Sequence, residues 1–146
     1  MERSPREHSV CALLVGVFEK DRLLVREIFR KLDWRLFEAR NRRRALACLE
    51  SKPVHVVIAE ADVRQWSWKA ILQDLRLLAP PPQLIVTSLH ADDHLWAEAL
   101  NVGAYDVLPQ PLARDELERV VASARRHFNF QPERAGRVSL SAASSA

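Results

Sequence analysis

Short apolar runs alternate with amphipathic segments along most of this chain, and that alternation restricts its possible folds more than any other feature. Residues 10–17 and 54–59 are almost wholly apolar and rich in branched side chains. Such runs are typical of strands buried on both faces, which occur mainly in parallel sheets. Three shorter runs, at 34–39, 83–87 and 105–108, complete a set of five predicted strands.

An amphipathic segment follows each predicted strand. In the first of them Leu24, Ile28 and Leu32 repeat every four residues, which places them on one face of a helix. Residues suited to helix N-caps precede the segments, namely Asp21, Asn41, Ser67 and Asp92 or Asp93. The predicted helices cover residues 21–32, 42–50, 68–78, 92–102 and 114–128.

Strict alternation of strands and helices predicts an α/β fold with a five-stranded parallel sheet and helices on both faces. The flavodoxin-like strand order 2-1-3-4-5 is the expected arrangement. The 146 residues divide into an N-terminal tail at 1–9, one domain at 10–128 and a C-terminal tail at 129–146. The C-terminal tail lacks a periodic apolar face, so we expect it to be disordered.

The composition indicates the cellular location of the protein more clearly than its function. The net charge of +3 is too small to indicate a nucleic-acid partner by itself. No secretory leader and no apolar run long enough for a membrane span is visible, so we expect a cytoplasmic protein. Cys11 and Cys48 stand among apolar residues and are expected to be free, buried thiols.

Ligands of such sheets bind at the carboxyl ends of the strands, and the sequence there is distinctive. The runs Val-Val-Ile-Ala-Glu at 56–60, Leu-Ile-Val-Thr-Ser at 84–88 and Gly-Ala-Tyr-Asp-Val-Leu-Pro-Gln-Pro at 103–111 are the most telling. Over about residues 10–128 the chain resembles the receiver domains of bacterial two-component systems, which are CheY-like proteins of flavodoxin-like fold.

The resemblance implies where the chemistry of a receiver would lie. A working receiver has an aspartate that accepts a phosphoryl group, an acidic pair that holds Mg²⁺, a lysine, a hydroxyl residue and a switch aromatic. In this sequence the acceptor position is Glu60, the acidic pair falls on Gly16 and Val17, the hydroxyl is Thr87, the lysine position is Gln110, followed by Pro111, and the aromatic position is Val107.

Most of these positions depart from the pattern, so we expect Mg²⁺ binding and phosphotransfer to be lost. Losing one electrostatic element of this kind typically costs ~3–4 kcal/mol of transition-state stabilisation. We predict a stand-alone, non-enzymatic, receiver-like protein without cofactor or metal. It would dock on a protein partner, such as a histidine kinase or another signalling protein, through about residues 92–127.

Several alternatives stay open. Glu60 either imitates a phosphorylated aspartate or is a solvated loop acid. An active phosphorelay receiver with an atypical acceptor is one competing function. A basic nucleic-acid-binding module is another, based on Arg40 and residues 42–44, although we favour a solvated helix face for this cluster and for Arg125 and Arg126.

Aromatic residues offer further candidates for contact with a partner. Trp66 and Trp68 flank the predicted cap Ser67, and we expect one to pack in the core and the other to anchor a partner. Trp96 shares a predicted helix face with Leu100, so we expect it in the core.

Overall fold

The computed structural model describes residues 9–16, 19–63 and 66–128. Its parallel sheet contains β1 (Cys11–Val15), β2 (Arg35–Ala39), β3 (Val56–Glu60), β6 (Gln83–Ser88) and β7 (Asp106–Pro109). A separate antiparallel pair consists of β4 (Asp62–Val63) and β5 (Trp66–Ser67). The helices are α1 (Glu19–Lys31), α2 (Arg42–Ser51), α3 (Trp68–Leu75), α4 (Asp93–Val102) and α5, which covers residues 114–128.

The strand order of the large sheet is β2-β1-β3-β6-β7. Counting only the strands of that sheet, this is the predicted order 2-1-3-4-5, so the predicted fold class is confirmed. The short β4–β5 pair was not predicted. Two helix bounds also differ, because α1 begins at Glu19 and α3 ends at Leu75.

Side chains of the central strands point alternately to two apolar cores, one on each face of the sheet. On one face Leu13 of β1 belongs to a cluster with Ile71 of α3. On the other, Leu14 belongs to a cluster with Phe29 of α1 and Leu117 of α5. Burying each such side chain stabilises the fold by roughly 1.5–3 kcal/mol. Helices on both faces therefore follow from strands that are apolar at every position.

The expectations for the tryptophans are confirmed for one core position beside Ser67 and wrong for the partner anchor and for Trp96. Trp66 and Trp68 are both buried, so neither is available as a partner anchor, whereas half of the Trp96 surface is exposed. The buried residue of α4 is Ala99, and Leu95, four residues before it, packs against the same core. Trp96 lies one position further along the helix, which rotates it by about 100° out of that face.

Arg125 and Arg126 were predicted to lie on a solvated helix face, and the structure confirms this for only one of them. Arg125 is buried, and its Nε donates a hydrogen bond to the carbonyl of Ser9 at 2.7 Å. Its guanidinium therefore ties α5 to Ser9, two residues before β1. Arg126, its neighbour, is exposed as expected.

Both cysteines are free, as predicted, although Cys11 is buried and Cys48 only partly so. Burial raises the pKa of each thiol, which lowers its fraction of reactive thiolate. Within the described residues no helix is long and apolar enough to cross a membrane. Apart from Ser9, the predicted tails at 1–9 and 129–146 lie outside the described residues.

His55 makes stability depend on pH. Its Nδ1 accepts a hydrogen bond from the Cys11 amide at 3.0 Å, and burial, helped by the charge of Arg125, lowers its pKa to about 4. The unfolded chain binds a proton near pH 6.5, so the stabilisation is complete above that pH and is lost as the pH falls towards 4. Because His55 is only partly buried, we expect a loss of about 1 kcal/mol between pH 7 and pH 5.

Urea denaturation at the two pH values measures this loss. The matched variant is His55→Asn, whose side-chain oxygen can accept the Cys11 amide but does not titrate in this range. We expect the variant to lose less stability than the parent over the same interval. An equal loss in both proteins would show that His55 is not responsible.

Candidate functional site: the carboxyl edge of the sheet

Three of the residues singled out in the sequence lie where the parallel strands end. Glu60 is the last residue of β3 and stands in register with Thr87 of β6. Thr87 in turn pairs with Leu108 of β7, and Gln110 lies just beyond that strand. The parallel register thus brings these side chains to one edge of the sheet, with Glu60 half-buried and the other two buried.

Gln110 and Thr87 form a neutral, buried polar pair. The Gln110 side-chain amide donates a hydrogen bond to the Thr87 hydroxyl at 2.9 Å. The Gln110 backbone amide donates to the Ser88 carbonyl, also at 2.9 Å, and the Gln110–Pro111 peptide bond is cis. The side-chain carbonyl oxygen of Gln110 is buried without a hydrogen-bond partner in the described part of the chain.

At the other side of the edge, a valine covers the first acidic-pair position. Gly16 has a φ of +60°, in the left-handed region that favours glycine. A Cβ atom built on it would lie 2.9 Å from Val63 Cγ2 and 3.2 Å from Cγ1. Any side chain at this position would therefore have to displace Val63. Val17, the second acidic-pair position, lies outside the described residues.

The β4–β5 pair, which carries Val63, is held by Asp74 of α3. The indole N–H of Trp66 and Nε of Arg42 each donate to Asp74 Oδ2 at 2.9 Å. Arg42 lies in α2, so a single carboxylate joins the short strands to two helices. The hydrogen bond from Arg42 is the main cause that holds the pKa of Asp74 below its usual value.

Asp21 belongs to this edge although the sequence predicted a helix cap. Since α1 begins earlier, at Glu19, Asp21 lies inside the helix and is buried. Its Oδ1 accepts a hydrogen bond from the Leu112 amide at 3.0 Å, which ties α1 to the loop after β7. Its Oδ2 is buried with no hydrogen-bond partner among the described residues. The cap prediction for Asp21 is wrong, whereas those for Asn41, Ser67 and Asp92 are confirmed.

Val107, at the switch-aromatic position, is buried in β7 and pairs in register with Val86. The nearby aromatic residue, Tyr105, instead hydrogen-bonds through its hydroxyl to Ser123 and to His127 of α5.

Across residues 9–16, 19–63 and 66–128, no group of three or more histidine, cysteine, aspartate or glutamate side chains is placed to hold a metal ion.

The sequence matches a known family over most of this fold. The family model of the response regulator receiver domain matches residues 18–122. This chain belongs to that family. Among solved structures, the receiver is similar to the signal receiver domain of an HD domain-containing protein from Pseudomonas fluorescens Pf-5. The two share 27% identity with a TM-score of 0.73, over 84% of this chain and 98% of that one.

Two further relatives extend the comparison. The DNA-binding transcriptional regulator NtrC of Salmonella typhimurium is 28% identical over 93 residues, which are 64% of this receiver and 20% of that regulator. The receiver therefore spans about a fifth of the curated relative's length. The receiver domain of Saccharomyces cerevisiae Ssk1, solved with the phosphotransfer protein Ypd1, has a TM-score of 0.68 at 14% identity, with 77% of this chain and 86% of that chain covered, and shows the fold alone.

Proposed function

We propose that this receiver has lost phosphotransfer and acts in two-component signalling as a non-enzymatic docking module. The observation that carries the proposal is the hydrogen bond from the Gln110 amide to Thr87. The resemblance places a lysine at Gln110 and a phosphoryl-binding hydroxyl at Thr87. In this chain the two side chains bind each other, and neither carries a charge.

Electrostatics explain why this pair disfavours phosphorylation. A phosphoryl group on Glu60 would bring a charge of about −1.5 to −2 beside the buried Thr87. A buried charge needs an opposite charge or several hydrogen-bond donors to offset its desolvation. Gln110 is uncharged, and one of the two N–H donors of its side-chain amide already bonds the Thr87 hydroxyl.

The residues at this edge also do not fit Mg²⁺. That ion requires near-octahedral oxygen ligands, usually including one or two carboxylates. Gly16 supplies no carboxylate, and Val63 fills the space beside its Cα. Oδ1 of Asp21 already accepts a hydrogen bond from the Leu112 amide, so this carboxylate could offer a metal only its buried Oδ2. Magnesium therefore has no part in the proposed function.

A direct test is treatment with acetyl phosphate and Mg²⁺, followed by intact mass measurement. We expect no added phosphoryl group on the parent chain or on Glu60→Asp, because neither variant restores a cation at Gln110 or a carboxylate at Gly16. A family member with the complete residue set serves as the positive control. Stoichiometric phosphorylation of the parent that disappears in Glu60→Gln would overturn the proposal in favour of an active receiver.

The same variant separates the two interpretations of Glu60. Glu60→Gln keeps the shape of the side chain and removes its charge. If Glu60 imitates a phosphorylated aspartate, the variant should bind the protein partner more weakly. If Glu60 is only a solvated loop acid, the affinity for the protein partner should not change.

For docking we propose the surface of residues 92–127, the face through which receivers bind other proteins. Its half-exposed Trp96 is of the residue type that most often dominates binding energy. The Ssk1 receiver, which shares the fold, has been solved bound to a phosphotransfer protein. A partner from the same signalling system, such as a phosphotransfer protein or a histidine kinase, is the natural counterpart.

Photo-crosslinking in cells tests this surface. A photoreactive residue replacing Trp96 should capture a two-component signalling protein. The same residue replacing the exposed Ala47 of α2 should not capture it. Against the purified partner, Trp96→Ala should weaken binding by at least about 30-fold, as expected of a tryptophan hot spot worth about 2 kcal/mol. Equal capture from both positions would contradict the proposed face.

A further inference from the structure

A pocket lies beside Gly16, between α1 and α2. It is a pocket of about 480 Å³ at the carboxyl ends of β1 and β2. Its charged lining consists of Arg22, Arg26, Arg40, Arg44 and Glu38. Four arginines and one glutamate leave a net charge of +3 around one small volume.

The ion pairs inside the pocket leave most of this charge uncompensated. Arg26 is neutralised, because its Nε and Nη2 donate to the two carboxylate oxygens of Glu38 at 2.6 and 2.8 Å. Arg22 is poorly satisfied. Its closest approaches to carboxylates are 3.6 Å to Glu19 and 4.0 Å to Glu38, and its Nε is buried with no hydrogen-bond partner in the described part of the chain.

Arg40 and Arg44 form no ion pair with any acidic side chain that the structure describes. They differ in this from the adjacent Arg42, which is bound to Asp74. Both line the pocket, one from the loop after β2 and one from the first turn of α2. The positive end of the α2 dipole adds to their field.

We infer that this pocket binds a small molecule carrying adjacent phosphate groups, the diphosphate chemistry shared by nucleoside diphosphates and inorganic polyphosphate. Guanidinium groups match phosphate oxygens with paired hydrogen bonds, and three of them remain available here. The volume lies within the range of small-ligand sites. The described residues of the lining include no aromatic side chain on which bases of a nucleic acid strand would stack.

Isothermal titration of the full chain with pyrophosphate, without Mg²⁺ and at 150 mM salt, tests the inference. We expect one site with a dissociation constant of roughly 10–100 μM. Arg40→Gln and Arg44→Gln should each weaken binding about tenfold or more, the loss expected for one charge-assisted contact. Arg43→Gln is the matched control, because Arg43 is equally exposed and adjacent but does not line the pocket. It should change affinity less than about twofold.

A fourth variant should strengthen binding, which no general damage to the fold would do. Glu38→Gln removes the one carboxylate of the lining and frees Arg26, so pyrophosphate should bind several times more tightly. Tighter binding of adenosine diphosphate than of pyrophosphate would assign the nucleotide as the source, and equal binding would assign the phosphates alone. Absence of saturable binding below millimolar concentration, equal losses in Arg43→Gln and Arg44→Gln, or tighter binding of duplex DNA would each overturn the inference. None of these outcomes depends on whether Glu60 is phosphorylated.

Discussion

Gly16→Asp is expected to lower the free energy of unfolding by about 2–4 kcal/mol, although it restores the type of residue that receivers carry at this position. Two costs combine. An aspartate would have to adopt the φ of +60° found at Gly16, and its Cβ would lie within 2.9 Å of Val63 Cγ2. Valine is stiff at its first side-chain torsion, so Val63 cannot simply rotate away. Urea denaturation of the two proteins measures the difference.

Two further variants separate the crowding from the backbone strain. Val63→Ala removes both methyl groups that face Gly16, so in that background Gly16→Asp should cost at least about 1 kcal/mol less. Gly16→Ala introduces the crowding against Val63 and the backbone strain without adding a charge. It should account for most of the loss in the free energy of unfolding. A Gly16→Asp protein as stable as the parent, within about 0.5 kcal/mol, would show that the β4–β5 pair yields easily and that Val63 does not block this position.

The departure at Gly16 is therefore part of the packing. A glycine at the end of β1 allows the β4–β5 pair to approach, and Val63 then lies where a side chain would stand. On the other side of the same edge the Gln110 amide donates a hydrogen bond to the Thr87 hydroxyl. Restoring one residue of the receiver pattern would consequently disturb contacts that the remaining residues have already formed. This coupling is the physical support for the proposed loss of phosphotransfer.

The sheet was predictable because its signals are local. Strands buried on both faces are apolar at nearly every position, and the helix stripes and the caps Asn41, Ser67 and Asp92 are visible in short windows. Alternation then predicts that the strands are parallel, so that their carboxyl ends lie at one edge of the sheet. This is enough to place Glu60 and Thr87 at the same edge, and the structure shows them in register.

The missed features depend on contacts between distant residues. The β4–β5 strands are two residues each, too short for a periodic signal, and they are fixed by Asp74 eight residues beyond Trp66. Asp21 has the residue type of a cap, but its partner Leu112 is 91 positions away. The prediction for Trp96 was wrong because the buried position of α4 is the small residue Ala99, and in the sequence the neighbouring tryptophan is the more obvious core candidate.

Asp74→Ala is the other substitution with a large expected effect, a loss of about 2–3 kcal/mol in the free energy of unfolding. The side chain accepts hydrogen bonds from Trp66 and from Arg42, and its loss leaves the buried indole N–H unsatisfied. An unsatisfied buried donor costs about 1–3 kcal/mol. The Arg42 ion pair adds less, because the Arg42 side chain is half-exposed.

Graded variants distinguish the two contributions. Asp74→Asn keeps an oxygen acceptor for Trp66, so it should lose about 1 kcal/mol, and Arg42→Gln should lose less than that. The parent should also lose the Asp74 contribution as the pH falls through the lowered pKa of this carboxyl, whereas Asp74→Asn should not. Because Asp74 fixes the short strands that cover Gly16, hydrogen exchange at Gly16 and Val63 should accelerate in Asp74→Ala more than in Arg42→Gln. Equal effects of Asp74→Ala and Arg42→Gln would mean that the ion pair, and not the indole hydrogen bond, holds this edge of the receiver.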